Sequence, residues 1–279
     1  MSAEDTAPRT SPVRFCAAIS CFLRYLLVVF PLFAVPTHSH ADDKHRDDAG
    51  KTPAVVALAS SFRTLWPTLV DAYVAETGNP NPLVSFASSG LLTTQILHGA
   101  PFELYLSADE ATVDRLASAG KTKQKKYALA KGTLSLVWRG AGTPSLSELG
   151  PLMEENKQLK IAIANPRHAP YGIAAKQALD NAGLQPLPHG KLLTAENASQ
   201  ALQYALNGAA DAALVPTILA QQVGDENIKI LPIDQTSYQS VVHHLILLQP
   251  ADNPAEALSN WLKTPQALTI MQGFGLTTL

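Results

Sequence analysis

From Val55 onward the chain switches repeatedly between two hydrophobic rhythms, and this alternation limits the folds open to it. "AVVALA" is a short apolar run that reads as a buried strand. "FRTLWPTLVDAYVAETG" then places Phe62, Leu65, Leu69 and Tyr73 at helical spacing, with Gly78 as the stop. "PLVSFA", "GLLTTQILHG", "FELYLSA" and "EATVDRLASAG" continue the pattern as strand, helix, strand and helix, the helices closing at Gly99 and Gly120. A second series follows. "TLSLVWR" and "LKIAIAN" are strands, "PYGIAAKQALDNAG" and "AENASQALQYALNG" are helices closing at Gly183 and Gly208, and "DAALVP" is a strand. "YQSVVHHLILLQ" is a long late strand, and "PAEALSNWLKTPQALTIMQGFG" is helical with a break at Pro265. Strands alternating with helices predict an α/β fold with parallel sheets covered on both faces. The length fits two lobes of similar size.

The N-terminus obeys a different rule. Arg14 and Arg24 come before or beside the apolar run "YLLVVFPLFAVP", Tyr25 to Pro36, which at 12 residues is short for a bilayer span. Ser39-His40-Ala41 has the small-x-Ala form of a cleavage site. Residues 1–41 are expected to be a secretory signal peptide. Both cysteines, Cys16 and Cys21, fall inside it, so the processed chain is expected to have neither disulfide nor thiolate nucleophile. "HSHADDKH" contains metal-ligand residue types but reads as a solvated leader. The formal charge of −2 becomes −3 once Arg9, Arg14, Arg24, Glu4 and Asp5 are gone. With no basic run, the composition argues against a nucleic-acid partner.

Four places share one local arrangement: a strand ends and a helix begins on small or hydroxyl residues. They are "ALASSF" at Ser60-Ser61, "FASSG" at Ser88-Ser89, "NPRHAPYG" at Ala169–Tyr171 and "TAENAS" at Glu196–Ala198. The first N–H groups of a helix lack internal partners, and the helix dipole adds partial positive charge there. Such a start is an anion site that needs no cation. Pro170 suits a first helical position and leaves the N–H of Tyr171 to serve a ligand. From Asp71 to Glu110 the chain has no Lys or Arg at all. One such start is usually only a cap. Four of them on two α/β lobes can converge on one cleft.

Taken in order, "ALASSF", "SFASSG", "QILHGAPFELYLSAD", "NPRHAPYGIAAKQAL" and "ENASQAL" closely resemble the periplasmic molybdate-binding proteins of ABC importers, over about residues 55–274. The resemblance implies a two-lobed type II periplasmic binding protein fold with the ligand cleft between lobes. It implies a tetrahedral dianion, molybdate or tungstate, held by hydroxyls and backbone N–H groups. No separate cofactor is implied, nor any metal beyond the molybdenum within the oxyanion. The implied ligand residues are Ser61, Ser89, Tyr171 and Ala198, with Ser60 as an adjacent candidate. The implied partners are the permease and ATPase subunits of an importer, and the implied state is a periplasmic monomer.

Two departures from the family pattern stand out. Many members have Val where Ala198 stands, which a backbone contact tolerates. Many also place a ligand-binding Tyr at the position of Pro216, and proline offers neither N–H nor hydroxyl. Tyr171 replaces a small residue of those members. Either it gives only its N–H while the ring packs at the lobe interface, or its hydroxyl also reaches the anion.

The expected lobes are residues 52–134 with 240–279, and residues 135–239. The chain is expected to cross near 133–139 and again near 237–249. Competing readings are an alternative oxyanion such as sulfate, a sensor domain and a hydrolase. The hydrolase would assemble His98, His168, Asp109 and the serines, but no GxSxG elbow is present and helix-start serines serve as caps or anion donors. The sensor lacks a preceding DNA-binding helix pair. His243 and His244, in the late strand, read as structural.

Overall fold

The computed structural model describes residues 52–279. The expected signal peptide, Cys16, Cys21 and the whole "HSHADDKH" leader lie outside the described residues. The chain opens with β1 (Val55–Ala59), α1 (Trp66–Thr77), β2 (Leu83–Ala87), α2 (Ser89–Leu97), β3 (Leu104–Ser107), α3 (Glu110–Ser118) and β4 (Tyr127–Gly132). It continues with β5 (Leu134–Trp138), α4 (Leu149–Glu155), β6 (Ile161–Ala164), α5 (Pro170–Asn181), β7 (Leu192–Ala195) and α6 (Ala198–Leu206). β8 (Ala212–Pro216), α7 (Thr217–Ala220) and β9 (Lys229–Pro232) precede the return through β10 (Val241–Leu247), α8 (Asn253–Trp261), α9 (Pro265–Gly273) and β11 (Thr277–Thr278). Among the described residues, no helix is long and apolar enough to cross a membrane.

Two sheets divide these strands. The first runs β11-β4-β10-β3-β1-β2 and the second β7-β6-β8-β5-β9. The expectation of purely parallel sheets needs correction. β1 pairs in parallel with β2 and β3, and β6 with β7 and β8, but β10 runs antiparallel to β3 and β4, and β5 antiparallel to β8 and β9. The crossings explain the exception. β4 runs through Thr133 straight into β5 of the other sheet, and the chain comes back over 238–240 into β10. Strands that pass directly from sheet to sheet have no helical crossover to reverse their direction. Leu134, assigned from sequence to the first lobe, already pairs with Pro216 in the second sheet.

Both faces of the first sheet are covered. Leu58, Phe62, Leu65, Leu104 and Trp261 belong to the core on one face, and Leu92, Tyr105, Val113 and Leu116 to the core on the other. A larger core built on Leu136, Ile161, Ala175 and Leu214 fills the second lobe. The register matters most for the site. Ala59 of β1 pairs with Ala87 of β2, and Leu58 with Leu106 of β3, so three parallel strands end together. Ala164 of β6 pairs with Ala195 of β7 at the corresponding edge of the second sheet. The segments that follow these ends are the four hydroxyl-rich or small-residue starts found in the sequence. Carboxyl ends of parallel strands are where α/β sheets leave room for ligands.

Candidate functional site

Ser60, Ser61, Ser89, Tyr171 and Ala198 line one pocket between the two sheets, together with Ala59, Ser88, Ala108, Ala169 and Pro170. No lining side chain carries a formal charge. The pocket has a volume of about 10 Å³, roughly the room that one water needs.

Each wall has its own local cause. Ser60 and Ser61 lie on a three-residue 3-10 turn, Ser60–Phe62, rather than on α1 itself. The sequence spacing placed the helix from Phe62, but α1 starts at Trp66 with Pro67 in its first turn. The pocket therefore meets a short turn here, with buried hydroxyls and little helix dipole behind them. Ser89 opens α2, after Ser88 in extended conformation. Its hydroxyl oxygen accepts from the Ala108 N–H at 3.0 Å, which leaves its own proton free to donate. Pro170 opens α5, so Tyr171 occupies the second helical position, where no carbonyl of the helix can reach its N–H. Asn197 caps α6 by accepting from the Gln200 N–H at 3.1 Å, and Ala198 follows it.

Direct bonds hold the two lobes together around the pocket. The Ala198 N–H donates to Ser60 Oγ at 3.2 Å, and Ser199 Oγ donates to the Ser60 carbonyl at 2.8 Å. The Gly90 N–H donates to the His168 carbonyl at 2.9 Å. Ser88 Oγ lies 2.7 Å from His168 Nδ1. Gly90 is required for this approach: a Cβ there would lie 2.8 Å from both the Cβ and the carbonyl oxygen of His168.

Tyr171 is buried, and its hydroxyl points toward His243 Nε2 at the long distance of 3.5 Å. Ser61 Oγ reaches the same nitrogen at 3.3 Å. The phenol fits because residue 132 is glycine; a Cβ on Gly132 would fall 1.9 Å from the hydroxyl oxygen. Burial pushes the Tyr171 phenol far up, so it stays a donor. Burial pulls the His243 imidazole down to about 3, with the Ala130 backbone opposing and the neighbouring His244 adding to the fall. His243 Nδ1 makes no formed hydrogen bond; the Ala130 backbone lies near enough to favour the charged ring without completing one.

The sequence-based hydrolase does not assemble. His98 Nδ1 bonds the Thr94 carbonyl of its own helix, and Asp109 caps α3. His168 does meet Ser88, but its Nε2 is 3.8 Å from the exposed Glu196 carboxylate, too far for a hydrogen bond that would orient a base. Pro216 ends β8 and does not line the pocket. Sequence reasoning missed two contributors. His168 sits in the motif "NPRHAPYG" but was not assigned to the seam. His243 was read as structural, although a histidine pair inside the apolar strand "VVHHLILL" was a signal of buried polar work.

Comparison with known proteins agrees with this architecture. Residues 54–277 match the family described as bacterial extracellular solute-binding protein. The chain is 31% identical to the molybdate-binding protein ModA of Azotobacter vinelandii over 79% of its own length and 88% of that protein. It is 30% identical to the ModA of Rhodobacter capsulatus over 80% and 88%. The solved structure of the Azotobacter vinelandii periplasmic molybdate-binding protein superposes with a TM-score of 0.72 at 26% identity, covering 80% of this chain and 98% of that one. A sulfate-binding protein from Mycobacterium tuberculosis shares the two-lobed fold at 15% identity and a TM-score of 0.66. The chain belongs to the bacterial extracellular solute-binding protein family, with a type II two-lobed fold, and molybdate-binding proteins are among its relatives.

Proposed function

We propose that this protein captures molybdate, and tungstate, in the periplasm and delivers it to the permease and ATPase subunits of an ABC importer. The carrying observation is the convergence of Ser60, Ser61, Ser89, Tyr171 and Ala198 on one pocket with no charged side chain in its lining. A wall of donors suits an anion that has no proton to offer. Molybdate, tungstate and sulfate are fully ionised at neutral pH. Phosphate keeps a proton and needs an acceptor, ordinarily a carboxylate, and the lining has none. About six charge-assisted bonds worth roughly 1.5–3 kcal/mol each gross, set against an association cost on the order of 4–15 kcal/mol, allow about micromolar affinity or better. The relatives named molybdate-binding proteins support the choice of anion.

The closed pocket gives size its role. With room for about one water, it must widen to take any tetrahedral oxyanion. The Ala198 N–H, now on Ser60 Oγ, is the donor such widening releases. The amount of widening at which the lobes still meet then separates molybdate from the smaller sulfate. Calorimetry with molybdate, tungstate, sulfate and phosphate in turn tests the reading. Tight binding of molybdate and tungstate with weak or absent binding of sulfate and phosphate is expected; a preference for sulfate overturns it.

A further inference from the structure

His243 stands behind the wall of the pocket rather than in it. Its Nε2 is the meeting point of Ser61 Oγ, at 3.3 Å, and the Tyr171 hydroxyl, at 3.5 Å. The ring is fully buried, edge-on to Phe62 at 4.9 Å between centroids. The pairing of β10 with β4 slips between His243 and His244. A bulge of this kind re-aims a side chain out of the regular alternation.

The arrangement creates a problem of proton supply. Each hydroxyl owns one proton. If Nε2 is a bare lone pair, Ser61 or Tyr171 must turn its proton to the ring, and that hydroxyl no longer donates to an anion. If Nε2 carries a proton, the ring donates and both hydroxyls face the pocket as donors. A neutral ring with its proton on Nε2 leaves Nδ1 as an unmatched acceptor beside the Ala130 backbone. A ring protonated on both nitrogens satisfies both sides: Nδ1–H faces Ala130 and Nε2–H faces the hydroxyls.

We propose that His243 is a positioning residue for oxyanion capture: it takes up one proton from solvent as a dianion enters, and its Nε2–H then holds the Ser61 and Tyr171 hydroxyls as donors toward the anion's oxygens. The proposal rests on the reading of this pocket as an oxyanion site. The groups facing the ring are few. The 3-10 turn offers Ser61 and Phe62, β4 offers Ala130 and Gly132, and α5 offers the Tyr171 phenol. On its own strand the titratable neighbour is His244, whose Nδ1 lies 3.2 Å from the Val242 carbonyl. Among the described residues no carboxylate pairs with His243. The protonating field must therefore come from the ligand. Burial keeps the ring neutral in the empty site, and a double negative charge one hydroxyl away reverses that balance. The cation then exists only while the pocket is loaded. A monoanion supplies half the field and recruits the proton less readily, so the device selects for dianions.

Titration calorimetry of the purified protein with molybdate at pH 6.5 and 7.5, each in two buffers of different ionisation enthalpy, tests this. The expected result is a buffer-dependent enthalpy equal to uptake of up to one proton per anion. Uptake should be larger at pH 6.5, with affinity weakening by up to tenfold at pH 7.5. His243→Gln keeps a donor but cannot titrate. It should bind about tenfold or more weakly, with an enthalpy that no longer depends on buffer. Molybdate binding with no proton uptake in the unmodified protein, or equal uptake in His243→Gln, overturns the proposal. If that variant fails to fold, nitrogen NMR of the histidine-labelled native protein decides, and a His243 ring still neutral in the molybdate complex overturns it. Proton uptake on binding sulfate, with no binding of molybdate at all, upholds the role of His243 and overturns the molybdate reading. No binding of any of these dianions overturns both.

Discussion

The backbone N–H of Ala198 donates to Ser60 Oγ at 3.2 Å across the seam between the lobes. One group comes from the end of β1 and the other from the start of α6, 138 residues apart in sequence. The bond occupies a donor that the proposed function assigns to the anion, so loading must exchange one acceptor for another. A molybdate titration followed by amide NMR should move the Ala198 resonance strongly. An Ala198 amide that stays in place while molybdate binds would show that this N–H never leaves Ser60.

Ser89→Ala should weaken anion binding by roughly tenfold to a hundredfold, the worth of one hydroxyl bond to a charged ligand, about 1.5–3 kcal/mol. Neutralising Lys131 or Arg167 should matter far less and should depend on salt. If a cation substitution abolishes binding and Ser89→Ala is silent, the charge-free site is wrong.

Tyr171→Phe deletes only the hydroxyl that points toward His243 Nε2. Affinity for molybdate should fall by about tenfold, with altered selectivity over sulfate. Gly132→Ala should reproduce the loss from the opposite side, because its new Cβ would occupy the place of that hydroxyl at 1.9 Å. Unchanged titrations for both variants would leave Tyr171 with only its backbone N–H.

Gly90→Ala should spare the fold of each lobe and impair their approach, since the added carbon meets the His168 backbone at 2.8 Å. A normal circular dichroism spectrum, weaker molybdate binding and a larger radius of gyration than that of the native protein in small-angle scattering are expected. Wild-type affinity would mean that the seam opens further than these bonds indicate.

The empty protein should lose stability as pH falls below about 6.5. In the unfolded chain a histidine titrates near 6.5, whereas burial holds His243 near 3. Between those values the unfolded state binds more protons, so acid favours it, by at most about 1.4 kcal/mol per pH unit from this group. Urea unfolding of the native protein and His243→Gln from pH 7.5 down to 4 measures the difference. Parallel pH dependences would show that His243 carries no such linkage.

Much of this fold is written locally. Glycine stops at 78, 120, 183 and 208 and the apolar strand runs are properties of short windows, and the corresponding helices and strands form where those windows lie. The four starts were legible for the same reason, because a hydroxyl or small residue after a strand is a local pattern. The misplaced start of α1 shows where that legibility stops. Phe62 fits the helical spacing, yet it joins the core from a 3-10 turn. Tyr127–Gly132, Leu192–Ala195 and Lys229–Pro232 also gave no clear strand rhythm, because partners in the sheet decide them. The histidine pair signalled buried polar work, but the place of His243 behind the pocket was illegible because nothing near it in sequence lines the pocket. Only the pairing of β10 beside β4 carries it behind Ser61, 182 positions away.

The two crossings lie side by side, and the Leu134 N–H donates to the Tyr238 hydroxyl at 2.9 Å between them. A pair of neighbouring backbones fastened to each other resists twisting and sliding but still bends. The lobes are therefore joined as a door is to its frame, with one easy angle between them. Under the proposed function, an importer would have a single coordinate to read, and filling of the pocket would be written in that angle.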